Sequence, residues 1–356
     1  MREKKIVSAL TMESLTAIPS GTWDLSENNN TSLLVGPAFF DPQINGYAGI
    51  DFQNPGLTME ELEYSVLELH KAGCSHFLLT LITADVNELE EKLSKISQYR
   101  KKSAVIEKSV LGVHLEGPFI SSKKSANGEN FYGPHPIKHI RPPDWTLFKK
   151  LQKAGNNIIK MVTLAPEYSK SEDFIRKLRV TGVIAALGHT DASLEEIGRA
   201  VAAGASVATH FGSGCPGWTK RHDNIIQRLL FHENLLLSII PDGIHIPGFA
   251  LSNFVRGFGE RIVFTTDCIS AAGAAPGKYS FADLDIVVGN DRVVSNPAGP
   301  GLAGSALRPI EGFYNAVKLG GMSISQSWRA WTKLRDMYFP EATAPIITIP
   351  WRNCKN

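Results

Sequence analysis

The chain is poor in cysteine, has no long apolar run and carries no excess of either charge. Its 4 cysteines, Cys74, Cys215, Cys268 and Cys354, form no C-x-x-C pair, which excludes a zinc ribbon and a dithiol redox motif. So few thiols in 356 residues read as reduced side chains, not as a disulfide framework. The longest apolar stretches, such as Leu235-Leu236-Leu237 with Ser238-Ile239-Ile240 behind it, are strand-sized. They fall well short of the ~20 residues of a membrane helix. Glu3 and the lack of an apolar segment after Met1 argue against a secretory signal, so the expected location is cytoplasmic. With 37 Lys+Arg against 35 Asp+Glu, the net charge of +2 gives no basic footprint for nucleic acid.

What is present is a repeating alternation. Apolar runs at 33–40, 74–82, 110–115, 158–164, 183–187, 206–211, 235–240 and 262–266 alternate with amphipathic stretches, the pattern of βα units on a parallel sheet. Helix ends are legible between them: Thr58 and Glu61 form a capping box and Gly73 closes that helix, while Asp191 or Ser193 starts another that Gly204 stops. Eight such units match a closed (β/α)8 TIM barrel, typically ~250 residues. An open doubly wound sheet is the alternative, but no G-x-G-x-x-G follows the first run. Residues 36–340 are assigned to the barrel, with a β-hairpin insertion at 279–296 around Gly289-Asn290-Asp291. Helices are expected over 306–319 and 325–338, and a small accessory β part is expected from 1–35 and 341–356.

Polar residues gather where such a barrel carries its active site, at the C-terminal ends of the strands. In order these are Asp41-Pro42-Gln43-Ile44-Asn45, His114-Leu115-Glu116, Gly188-His189-Thr190-Asp191, Thr209-His210, Asp242-Gly243-Ile244-His245 and Thr265-Thr266-Asp267. One histidine after a strand is ordinarily a solvated or core residue, but six placements on one face point to chemistry. Catalytic zinc-type sites use three protein ligands, often two His and a carboxylate, and Glu116, His189 and His210 supply that set. Asp267 is positioned to shuttle a proton. Metal-assisted hydrolysis of an amide or ester follows from these parts.

The blocks DPQINGYAGIDF (41–52), GVHLEGPF (112–119), LAPE (164–167), ALGHTDAS (186–193), ATHFGSGCP (208–216), PDGIHIP (241–247), FTTDCISAAG (264–273) and LAGSAL (302–307) resemble, in order, the N-acetylglucosamine-6-phosphate deacetylases of the amidohydrolase superfamily. The resemblance implies hydrolysis of the N-acetyl group of N-acetylglucosamine 6-phosphate to glucosamine 6-phosphate and acetate. It implies a divalent ion, zinc by preference with iron or another ion as alternatives, on Glu116, His189 and His210. Asp267 then matches the acid/base that takes a proton from water and returns it to the amine. His245 and His135 match histidines contacting the sugar and the attacked carbonyl. Gln43 and Asn45 stand where other superfamily members carry H-x-H for a second metal, so one ion per chain is expected, with both amides at the substrate. A homodimer and a small-molecule amino sugar are the implied partners.

The chain departs from the family at the phosphate. An Asn-Ala pair is expected after the second metal histidine, whereas here Phe211-Gly212-Ser213-Gly214-Cys215-Pro216 follows His210. Ser213 and the Gly-rich backbone offer an alternative anion nest, and Arg221 is the candidate to reach a partner subunit's substrate. Two other readings stay open: a deacetylase of a non-phosphorylated or different N-acyl sugar, and a non-catalytic sugar-phosphate-binding barrel. Arg100-Lys101-Lys102 reads as solvated helix surface, and His114 as a residue of the barrel core.

Overall fold

The computed structural model describes residues 31–125, 127–128, 130–282, 284–295 and 301–352. Positions 1–30, 296 and 353–356, on which part of the expected accessory strands, the end of the insertion and Cys354 fall, lie outside the described residues. Eight parallel barrel strands run Phe39–Ile44, Cys74–Ile82, Val110–Glu116, Ile159–Leu164, Ile184–Leu187, Val207–Ala208, Leu236–Ile239 and Ile262–Phe264. Each pairs with its sequence neighbours, so the sheet order follows the chain. The expected TIM barrel is the observed architecture.

Closure between the first and last strands uses side chains as well as backbone. Ile44 and Cys268 form a parallel bridge, and Asn45 N–H donates to Cys268 O at 2.8 Å. Beside that bridge the fully buried Asp41 carboxylate accepts from Thr265 Oγ1 (2.6 Å), Thr266 Oγ1 (2.6 Å) and Thr266 N–H (3.0 Å). Burial raises this carboxyl to about 6, against the lowering effect of those hydrogen bonds. Asp41 therefore faces the barrel seam, which the sequence placed only at a strand end.

Helices on the outside follow their sequence signals. Thr58 and Glu61 cap Met59–Lys71, and Ser193 and Glu196 cap Leu194–Ala203, both as reciprocal capping boxes. After the eighth strand, Pro309–Lys318 and Ile324–Tyr338 pack over the first strand. Phe39 meets Phe313, Trp328 and Trp331 at ring-centroid distances of 5.5, 5.6 and 5.5 Å, the aromatic centre of that layer.

Three local expectations change. The run at 33–40 is not one strand: Thr31–Pro37 leaves the barrel and pairs antiparallel with Ile346–Arg352, and the barrel strand begins at Phe39. Trp328 explains the glycine in that outer strand, since a Cβ at Gly36 would lie 2.5 Å from its indole ring. The insertion is a three-stranded antiparallel sheet, Gly277–Phe281, Leu284–Val288 and Val294–Ser295, so a second turn precedes the one expected at Gly289-Asn290-Asp291. The sixth strand shortens to Val207–Ala208 because the chain turns at His210.

Candidate active site

At the C-terminal end of the barrel a cavity of about 250 Å³ is lined by Asn45, Glu116, His135, His189, His210, Ser213, His245 and Asp267. Eight of the ten residues expected at the site thus share one cavity. Gln43 is buried and hydrogen-bonded to two of the lining carboxylates without itself lining the cavity. Arg221 is exposed on the loop beyond Ser213 and is not a lining residue of this single chain.

Backbone conformation places the reactive groups. His189, His210 and Asp267 all adopt left-handed conformations, with φ of 49°, 28° and 49°. Such conformations cost on the order of 1–3 kcal/mol each in a non-glycine residue and concentrate at functional sites. Gly214 passes directly over the two imidazoles. A Cβ there would lie 2.8 Å from His210 Cε1 and 2.9 Å from His189 Nδ1. Glycine at 214 is therefore required sterically by the histidine pair.

Glu116, His189 and His210 are buried, and one donor atom from each lies within 4.8 Å of the others. His210 Nε2 is 2.9 Å from Glu116 Oε1 and 3.0 Å from His189 Nε2, and His189 Nε2 is 3.4 Å from Glu116 Oε1. His189 Nδ1–H donates to Phe131 O at 2.9 Å, which turns its Nε2 towards the carboxylate. Two imidazole nitrogens and one carboxylate oxygen converging in a buried site fit a divalent cation by geometry and donor chemistry. Burial alone would raise Glu116, but hydrogen bonds and charge from His189 and His210 hold its carboxyl well below the usual range. Burial would lower His210, and Glu116 overrides it, raising the imidazolium to about 9.

Asp267 is tethered at one oxygen. Gln43 Nε2 and Asn45 Nδ2 each donate to Oδ1 at 2.8 Å, and Gln43 Nε2 also donates to Glu116 Oε1 at 2.9 Å. Burial and the Glu116 charge lift the Asp267 carboxyl to about 7. Across the cavity, Thr83 N–H donates to His135 Nδ1 at 3.3 Å, and the Thr83 hydroxyl lies 2.8 Å from the same nitrogen. An amide can only donate, so the proton of a neutral His135 is on Nε2, which points towards Glu116 Oε2 at 3.8 Å. Burial and the neighbouring His189 keep His135 well below the ordinary imidazole value, hence neutral. His245 Nδ1 is held by Asp242 Oδ2 at 2.6 Å, and Asp242 Oδ1 also accepts from two backbone amides of its own loop.

Several contributors have no motif of their own. Thr83 and the Phe131 carbonyl orient His135 and His189 from loops far away in sequence. Ile82, Ile244, Phe281 and Leu302 supply apolar walls. His114 does not join the donor set; its Nε2 lies 2.7 Å from Thr163 Oγ1 within the barrel core, as its place on the strand suggested.

No family model matches the chain. It is 32% identical over 280 residues to the N-acetylglucosamine-6-phosphate deacetylase of Bacillus subtilis strain 168, covering 78% of this chain and 68% of that protein. Against the N-acetylgalactosamine-6-phosphate deacetylase of Escherichia coli O157:H7 the identity is 29% over 296 residues, covering 83% and 75%. Among solved structures, a variant N-acetyl-D-glucosamine-6-phosphate deacetylase from Mycobacterium smegmatis, in complex with N-acetyl-D-glucosamine 6-phosphate, superimposes with a TM-score of 0.77 at 26% identity, covering 88% of this chain and 82% of that one.

Proposed function

Because the chain belongs to the N-acetylglucosamine-6-phosphate deacetylase family, we propose that it hydrolyses the acetamide of N-acetylglucosamine 6-phosphate to acetate and glucosamine 6-phosphate. The observation that carries this reading is Asp267 in one cavity with the Glu116–His189–His210 set, held at Oδ1 so that Oδ2 is left to exchange a proton. Those three residues would hold one zinc ion, which supplies Lewis-acid polarisation and lowers the pKa of water. A single ion is supported by Gln43, whose amide N–H groups already face both carboxylates.

In the proposed reaction Asp267 Oδ2 takes a proton from the attacking water as oxygen bonds to the acetyl carbon. The C–N bond then breaks, and the same proton passes from Asp267 to the departing sugar amine. His135 donates its Nε2 proton in a hydrogen bond to the carbonyl oxygen as negative charge develops there. His245, fixed by Asp242, contacts a sugar hydroxyl. Ser213 and the adjoining backbone take the phosphate, with Arg221 of the partner subunit in a homodimer. The 77% exposure of Trp218, three residues before Arg221, supports a second copy covering this loop. The proposed location is cytoplasmic; among the described residues no helix is long and apolar enough to cross a membrane.

One observation favours a second reading: among the described residues no Lys or Arg lines the cavity of the single chain. The substrate would then be an N-acyl sugar without phosphate. Acetate release from N-acetylglucosamine and N-acetylgalactosamine, each with and without the 6-phosphate, separates the two. The first reading requires a strong preference for phosphorylated N-acetylglucosamine, reduced by Arg221→Ala through KM. Equal rates with and without phosphate, unchanged in that variant, favour the second.

A further inference from the structure

A second cavity, about 800 Å³, opens at the opposite end of the barrel, where the second to fifth strands begin. Its lining includes three permanent cations: Arg100, Lys108 and Lys160. Arg100 lies in the last turn of the helix Val86–Lys102, where a charged residue is expected to be solvated. Instead it is partly buried, and its Nε has neither exposed surface nor a hydrogen-bond partner among the described residues. A buried donor without an acceptor costs about 1–3 kcal/mol, more when charged.

Lys160 is also built into the fold. It is the second residue of the fourth barrel strand and is partly buried. Its stem lies across the third strand at Gly112, where a Cβ would sit 2.3 Å from Lys160 Cγ. The missing side chain at 112 is what lets the Lys160 stem lie there. Among the described residues, no carboxylate lies within 4 Å of Arg100, Lys108 or Lys160. Glu107 and Glu341 also line the cavity, Glu107 near enough to act on the Arg100 charge without forming an ion pair, so the formal charge of the lining is positive by one. His76 is buried beside them, with Nδ1 2.8 Å from Ser75 Oγ, and adds a polar edge without a competing negative charge.

A buried guanidinium N–H without an acceptor, lining one cavity with two lysines that have no carboxylate partner, suits an oxyanion. We propose that this basal cavity binds a phosphate group, with the Arg100 guanidinium and the Lys160 ammonium as its principal partners and Lys108 at the rim. The phosphate belongs either to inorganic phosphate or to a phosphomonoester such as a sugar phosphate. The site is separate from the cavity that holds Asp267 and does not depend on the reaction proposed there.

Tungstate is the probe. Crystals of the full chain soaked in millimolar tungstate should give an anomalous peak beside Arg100 and Lys160, and the peak should vanish in Arg100→Met/Lys160→Met. Lys160→Gln alone, which keeps Arg100, should weaken the peak and guards against a double variant that does not fold. Competing soaks distinguish the sources: displacement by glucosamine 6-phosphate at about tenfold lower concentration than by inorganic phosphate identifies a phosphomonoester, and the reverse order identifies phosphate itself. No basal peak, or one that persists in the double variant, would show solvated cations only and overturn the proposal.

Discussion

Gln43 and Asp267 meet across the barrel seam, with one amide nitrogen of Gln43 reaching Asp267 Oδ1 at 2.8 Å and Glu116 Oε1 at 2.9 Å. The first strand thereby connects the residue proposed to move the proton to one proposed to hold the metal. Two N–H groups bridge carboxylates that would otherwise repel each other in a buried site. Asn45 adds a second donor to the same Asp267 oxygen. Both amide nitrogens are thus engaged at Asp267, a use that the resemblance, which implied contact with the substrate, did not reveal.

This relationship separates two variants. Asp267→Asn should keep its metal and lose roughly 10²–10⁴ in kcat, the scale of a missing general acid–base. Gln43→Leu should also keep its metal, lower kcat to a smaller extent and leave KM nearly unchanged, because Asp267 is misoriented but still present. Steady-state kinetics with elemental analysis check both. Near-normal turnover in Asp267→Asn would remove that residue from the mechanism.

Metal binding should release a proton. In the metal-free site Glu116 holds His210 protonated up to about 9, whereas a ligating imidazole must be neutral. At pH 8 Asp267, at about 7, is already mostly ionised, so His210 is the main source. Calorimetric titration of the chelated protein in buffers of different ionisation enthalpy should give close to one proton per ion at pH 8. Apparent affinity should climb as pH rises towards 9. Binding without proton release would contradict the Glu116–His210 coupling.

Asp41 predicts a stability slope. Its carboxyl is raised from 3.8 to about 6 by burial in the folded state. Between those values the folded protein holds a proton that the unfolded chain has lost, so stability from this group falls as pH rises through the window and is flat above about 6. The span corresponds to on the order of 3 kcal/mol. Urea midpoints of wild type and Asp41→Asn, compared from pH 4 to 7, should differ in slope over that interval, with the wild type losing more stability towards pH 6. Parallel curves would show that Asp41 is ionised throughout.

Much of this was legible in the chain because barrel strands are continuous apolar runs and the polar residue that follows each one lands on a single face. Glu116, His189, His210 and Asp267, which share one cavity, were singled out on that logic. What escaped depends on contacts between distant segments. The break at Ala38 was hidden because the outer strand Thr31–Pro37 and the barrel strand after it are both apolar. The anchoring of His135 by Thr83 N–H and of His189 by Phe131 O spans more than fifty residues and involves backbone atoms that every residue possesses. Gly214 looked like part of an anion nest, and its reason emerged only when two imidazoles were found beneath it. Arg221 lies outside the single-chain cavity, so the role proposed for it would require a second subunit.

The measurement that bears most directly on the whole account is a metal titration of chelated enzyme, followed by acetate release from N-acetylglucosamine 6-phosphate. Activity should rise linearly and reach its plateau at one equivalent of zinc per chain, with no recovery in His189→Ala or His210→Ala. A plateau at two equivalents, or full activity in the chelated protein, would contradict a single ion held by Glu116, His189 and His210.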